Sequence, residues 1–363
     1  MLTRTTSPRT PLEDDLTRLL ASKVANPRDC RFVQRVLGWD GQRGCCLKDA
    51  GEEFGITRER ARQIYDRAIA QIKCCDSAER LDDVLAFVTR MANRGADDVE
   101  AELQRQGLTR YLFPIPALLK TAEVFGRARA FTVEESGRKL FVVAAPGVVR
   151  SVIKAALRLS ARQGVQNVST LCSAIPKIHR RRNDRLLIRE LLNTRLDIRW
   201  LDADQETFWL ASVPRNPMVR CLKKVMCYAS PVTVSDLQRA IGRLPARQRS
   251  TLSRHVLINF CEQVPFCRVA NGCVESITQM APSPLISEAE RIVCQILMQN
   301  GNELSIQRLQ SLCASAGVPK PNLWRIVLHS PLIFRRAPRI YSVITAQSGP
   351  TDVVNVRTVL SPH

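Results

Sequence analysis

One pattern limits what this chain can fold into: a succession of hydrophobic periodicities that returns four times. Each round opens with an amphipathic helix, passes a short gap to a second helix with a small or polar start, adds a third helix, and closes with alternating residues that read as a strand pair. Block one runs from about Leu81 through DVEAELQRQ and PALLKTAEVF to ARAFTVEESGRKLFVVA. Block two starts near Val148, passes through NVSTLCSAI and RNDRLLIRELLNT, and ends in DIRWLDADQETFWLA. Block three starts near Met218 and runs through TVSDLQRAI and RSTLSRHVLINFCEQ to FCRVANGCVESI. Block four starts near Glu288 and runs through LSIQRLQSLCASAG and KPNLWRIVLHSP to IFRRAPRIYSVI. The spacing is roughly 65–70 residues, too long for a helical solenoid repeat.

Local chemistry supports these elements. Ser169, Ser235 and Ser305 lie at or beside the start of the second helix in blocks two to four, where a hydroxyl can bond an orphan N–H of the first turn. Glu135-Ser136-Gly137, Asp202-Ala203-Asp204 and Asn271-Gly272 carry turn chemistry between the paired strands. Three helices closed by a hairpin are the pattern of a winged helix, and a generic α+β packing unit fits the same pattern. The expected fold is therefore mainly α with small β-hairpins, an N-terminal helix-turn-helix followed by tandem winged-helix-like modules. The expected boundaries are a loose tail at 1–12, a helical module at 13–78, blocks at 79–145, 146–214, 215–280 and 284–345, and a second tail at 346–363.

The most informative stretch is residues 27–75. Leu47 to Phe54 reads as a short helix, Gly55 suits a left-handed cap, and Thr57 can N-cap a second helix running to about Lys73. Ala61, Ile64, Tyr65, Ala68 and Ile72 repeat at helical spacing and form the expected buried stripe. The opposite face shows Arg58, Glu59, Arg62 and Gln63 in its first turns. Such side chains can read base edges: Arg pairs with guanine, Gln with adenine, and Glu accepts from cytosine. A recognition helix presents its first turns to the major groove.

The run LKDAGEEFGITRERARQIYDRAIAQIK resembles region 4 of bacterial sigma-70-type sigma factors, and FVQRVLGWDGQRG before it is similar to the helix and glycine-containing loop that precede that motif. The string that carries the likeness is Thr57, Arg58, Glu59, Arg60, Ala61, Arg62, Gln63, Ile64. The resemblance covers 49 of 363 residues. It implies binding of the −35 promoter element and docking on RNA polymerase core. It puts Arg58, Glu59, Arg62 and Gln63 on base-reading or adjacent backbone-contacting positions, and Arg60 on a backbone-contacting one. The module ends a sigma factor but stands near the start of this chain, and Lys48 stands where the family has an acid.

Charge extends the argument to the later blocks. The chain has 54 Lys and Arg against 34 Asp and Glu, a formal net charge of +20. A chain this basic meets a polyanion. Arg180, Arg181 and Arg182, with Lys177, His179 and Arg185, lead into the third helix of block two. Arg243, Arg247, Arg249 and Arg254 hold the like place in block three. Block four has Lys320 and Arg325, with Arg335, Arg336 and Arg339 in its hairpin. Block one's third helix has little positive charge and reads as a spacer or a protein contact. A solvated basic surface fits these arginines too, and RNA competes with DNA for His179 to Arg182, since arginine-rich segments read both.

Several classes drop out. The longest apolar run, Leu140 to Val149, is about half a membrane span and contains Pro146 and Gly147. The N-terminus has no apolar signal region. Thirteen cysteines, an odd number with no C-x-x-C spacing, fit reduced thiols of a cytoplasmic protein and no zinc site. Cys45-Cys46 and Cys74-Cys75 flank the two motif helices, where a redox switch competes with plain burial. No metalloprotease, Walker or nucleophile-elbow motif occurs. No catalytic residue, metal or cofactor is expected. The sequence thus reads as a cytoplasmic, sequence-specific binder of double-stranded DNA acting at promoters with RNA polymerase. A DNA-recognition or scaffold subunit of a defence or mobile-element system, and an adaptor whose blocks bind protein, remain open beside it.

Overall fold

The computed structural model describes residues 10–73, 78–176, 178, 182–245, 252–278 and 285–346. The chain is mostly helical with small antiparallel three-stranded sheets. Two compact units divide it: Met1–Ile153 with Cys172–Leu196, and Lys154–Leu171 with Asp197–His363. Each has its own apolar core.

The first unit opens with α1 (Leu12–Lys23), α2 (Pro27–Leu37), α3 (Leu47–Glu53) and α4 (Arg58–Lys73). Leu12 is fully buried in the first turn of α1, so the ordered module takes in a residue assigned above to the tail. Its neighbour Glu13 is buried because its carboxylate accepts the backbone N–H groups of Arg110 and Tyr111 at 2.9–3.1 Å. Asn26 caps α2 through Arg28 N–H, and Pro27 at its first position has no N–H to leave unpaired.

One element order then recurs. α5 (Glu79–Arg90) leads to β1 (Arg94–Gly95), α6 (Ala96–Arg105), α7 (Ile115–Val124) and the hairpin β2 (Thr132–Ser136) with β3 (Lys139–Val143). Next come α8 (Val148–Gln163), β4 (Val165–Asn167), α9 (Val168–Ser173), α10 (Arg182–Asn193), β5 (Ile198–Trp200) and β6 (Thr207–Leu210). The third round is α11 (Pro217–Tyr228), β7 (Val232–Thr233), α12 (Val234–Gly242), α13 (Arg254–Gln263), β8 (Cys267–Ala270) and β9 (Cys273–Ser276). The fourth is α14 (Glu288–Gln299), β10 (Leu304–Ser305), α15 (Ile306–Ser315), α16 (Lys320–His329), β11 (Ile333–Ala337) and β12 (Ile340–Val343).

In every round the last strand lies in the middle of its sheet, between its hairpin partner and the short strand before the second helix. That short strand was not read from the sequence, because two or three residues show no alternation. The second helices of rounds two to four are capped by Asn167, Thr233 and Ser305. Ser305 is thus a cap itself, whereas Ser169 and Ser235 sit two residues inside their helices. Asn271 and Gly272 both take positive φ, 52° and 74°, as a tight two-residue hairpin turn requires.

Candidate nucleic-acid interface

The arrangement around α4 is set by its neighbours in the chain. Cys46 caps α3, its Sγ accepting Asp49 N–H at 3.4 Å. After Glu53 the chain reverses over residues 54–57. Gly55 has φ +63°, which costs other residues energy. Ile56 N–H returns to Gly51 O at 2.8 Å. Thr57 Oγ1 accepts Arg60 N–H at 3.3 Å and starts α4. Gly51 is a second fixed point: a Cβ there would lie 3.0 Å from Ile56 O and 3.6 Å from the Ala61 methyl. The two helices therefore approach closely.

Two arginines of α2 brace this turn. Arg28 Nη2 donates to Phe54 O at 2.5 Å. Arg35 pairs with Glu53 at 2.9 Å and donates to Arg43 O at 2.8 Å. Phe32 and Phe54 meet edge to face at 5.6 Å. The sequence reading missed both arginines. Their partners are carbonyls and a carboxylate in other elements, and no spacing rule connects them.

On α4, Ala61, Ile64, Ala68, Ile69 and Ile72 are buried. Tyr65, expected in the stripe, is half-buried, and Ile69 takes a place in it instead. Burial pushes the Tyr65 phenol up, and the Glu123 carboxylate of α7 adds to the shift. Arg58, Glu59, Arg60, Arg62 and Gln63 are all exposed on the first turns. Arg62 lies 3.5 Å from Asp66, with both side chains about two-thirds exposed. Arg60 donates to Gln63 at 3.4 Å. Exposed pairs of this kind contribute little and yield readily to a ligand. No hydrogen bond or ion pair engages the side chains of Arg58 and Glu59 among the described residues.

The third helices of the repeats are placed differently. α7 packs on α2 and α4, where the Trp39 indole donates to Thr121 Oγ1 at 2.7 Å. α10 packs on β1: Asn93 donates to Asp184 at 2.6 Å, Arg94 to Asn183 at 3.0 Å, and Gly95 N–H to Glu190 at 3.1 Å. α13 sits against the preceding hairpin, with Asn259 and Gln263 donating to the carbonyls of Leu201 and Trp200 at 2.8 Å each. α16 keeps an exposed face of Lys320, Trp324, Arg325 and Leu328.

The basic residues of the later blocks scatter accordingly. Arg180 and Arg181 lie outside the described residues, as do Lys177, His179, Arg247 and Arg249, and so does the side chain of Arg182 at the start of α10. Arg243 donates to Val327 O, which ties α12 to α16. Arg254 reaches Ser235 Oγ at 3.5 Å. Arg335, Arg336 and Arg339 are exposed in the last hairpin.

Among the described residues no cluster of three or more His, Cys, Asp or Glu could hold a metal ion, and no helix is long and apolar enough to cross a membrane. Burial pushes the Cys221 and Cys294 thiols up to about 12, so both are protonated hydrophobes. Cys74 and Cys75 lie outside the described residues. No family model, no curated protein and no solved structure matches the chain.

Proposed function

We propose that the chain is a sequence-specific binder of double-stranded DNA that reads the major groove with the first turns of α4. The observation that carries this reading is the row of Arg58, Glu59, Arg60, Arg62 and Gln63, all exposed on a helix whose opposite stripe is buried. Together they offer donors and acceptors for base edges, with guanidinium groups beside them for phosphates. In this reading α3 and α4 form a helix-turn-helix of the sigma region 4 kind, and the protein acts at promoters with RNA polymerase core. The four repeats are winged-helix-like modules. The net charge of +20 supplies the sequence-independent attraction.

Selection of bound duplexes from a random pool tests it, run with the full chain and with Arg58→Ala/Arg62→Ala. Substitution is the better probe than deletion, because removing α2 and α4 would strip α7 of its packing. Loss of the selected motif in the variant supports α4 as the reader. An unchanged motif transfers reading to the later modules and leaves the sigma likeness a docking feature.

A second reading, a scaffold or DNA-recognition subunit of a defence or mobile-element system without a role in initiation, draws on a separate observation. α7, α10 and α13 are occupied by neighbouring elements of the chain, so these third helices serve its own architecture. Retention of RNA polymerase core on the immobilised full chain favours the promoter role, and its absence favours the scaffold. Arg180, Arg181 and Arg182 stay within the proposal as phosphate contacts. Competition between duplex DNA and RNA decides which nucleic acid they serve.

A further inference from the structure

Two clefts differ in their charge. The first, of about 310 Å³ in the first unit, has Arg43, Lys120, Arg138 and Lys139 on its wall but also Asp97 and Glu100. Its two carboxylates offset two of those four cations. The second, of about 360 Å³ in the other unit, is lined by Arg215, Arg220, Lys224 and His329, and none of its described lining residues is acidic.

The basic residues of the second cleft are not equivalent. Lys224 pairs at 2.5 Å with the buried Glu290 carboxylate, which also accepts Ser330 Oγ at 2.5 Å. Its charge is spent holding α11 to α14. The side chains of Arg215, Arg220 and His329 make no ion pair or hydrogen bond among the described residues. Arg215 precedes α11, Arg220 lies on it, and His329 ends α16, so three places in the chain converge on one opening. The rest of the wall includes Pro217, Leu244 and Pro331. Like charges gathered in a concave wall raise the local positive potential, and a bound anion relieves their repulsion. Guanidinium groups match phosphate oxygens in geometry as well as charge. The apolar wall adds a place for a flat or apolar body next to that anion, and the volume suits a small organic ligand.

We propose that this cleft binds the phosphate monoester of a nucleotide, Arg215 and Arg220 holding the phosphate oxygens, a ring N–H of His329 donating to them, and the proline–leucine wall covering sugar or base. A free mononucleotide and the 5′-phosphorylated end of a strand carry the same chemistry. The site shares no residue with α4 and does not depend on the duplex reading.

Isothermal titration of the full chain tests it with four probes: adenosine 5′-monophosphate, adenosine, a 5′-phosphorylated thymidine tetranucleotide and its hydroxyl-ended form. The expected result is saturable binding of one ligand per chain for at least one phosphorylated probe, at least tenfold tighter than its dephosphorylated form. Binding of the mononucleotide identifies a free nucleotide as the source, and binding of the tetranucleotide alone identifies a strand end. Arg215→Ala/Arg220→Ala should weaken that binding at least tenfold. Arg31→Ala/Arg129→Ala, which removes two exposed arginines from the other unit, should leave it within twofold. Should the cleft double variant not fold, His329→Ala, which removes an exposed side chain, should weaken binding at least threefold. The proposal is overturned by no saturable binding of either phosphorylated probe. It is equally overturned by dephosphorylated probes binding as well, by equal losses in the two double variants, or by His329→Ala binding as the parent does.

Discussion

At the scale of single residues, the turn before α4 rests on conformation and α4 itself on exposure. A Cβ at Gly55 meets nothing within 4 Å, so Gly55→Ala has room and costs only the positive φ, about 1 kcal/mol. Chemical denaturation should show that loss with an unchanged slope, and no loss would remove the left-handed cap as a constraint. Arg62 is the sharper test of reading. Arg62→Ala should cost about 1–3 kcal/mol at one preferred base pair and little elsewhere, measured by competition among single-base variants of the selected site. An equal loss on every sequence would make Arg62 a phosphate contact. Both residues were visible in the sequence, because turn chemistry and helical spacing act within a few positions. The supports of the turn were not. Arg28 and Arg35 act across 26 and 18 residues, on a carbonyl and a carboxylate that no local pattern marks.

Among the elements, the junction of α10 with β1 and α6 carries a titrating group. Burial, and then the neighbouring Asp98 carboxylate, push Glu190 up to about 7 from 4.5, against the opposing pull of Gly95 N–H and Lys139. A carboxyl group whose pKa is raised on folding holds its proton more tightly in the native chain. Its contribution is present below about pH 4.5 and is lost as pH rises towards 7. Glu190 is only partly buried, so the loss stays well under the ~1.4 kcal/mol per pKa unit of the ideal case. Melting temperatures compared at pH 5 and pH 8 should show Glu190→Gln gaining on the parent at the higher pH. A constant difference between the two proteins would dismiss the carboxyl pair as a source of pH dependence. Helices and hairpins of this kind are legible in sequence because period and turn residues are local. Their pairing is not: the acids of α6 and α10 are 92 positions apart, and each alone reads as a solvated helix residue.

For the whole molecule, the excess of cations makes duplex affinity a function of salt. Each phosphate neutralised adds about 0.9 to the fall of log affinity with log salt. Replacing Arg335, Arg336 and Arg339 by Glu should therefore flatten the slope by roughly 0.9 for every one of them that pairs with phosphate. Titrations of the full chain between 50 and 200 mM salt read this directly, and an unchanged slope would leave the last hairpin a solvated surface. The fourfold order of elements was legible in the hydrophobic periods, but which third helices stay free was not, since that depends on what the neighbouring element offers. The joint between α13 and the hairpin before it offers two main-chain carbonyls, those of Trp200 and Leu201. Every residue type supplies the same carbonyl, so the joint leaves the choice of side chains to the core, where Leu201 is buried and Trp200 meets Phe208 edge to face at 5.5 Å. What the joint does fix is spacing. A residue inserted between Trp200 and Leu201 would put the two carbonyls out of step with Asn259 and Gln263, so the grip on this hairpin acts as a ruler along its backbone.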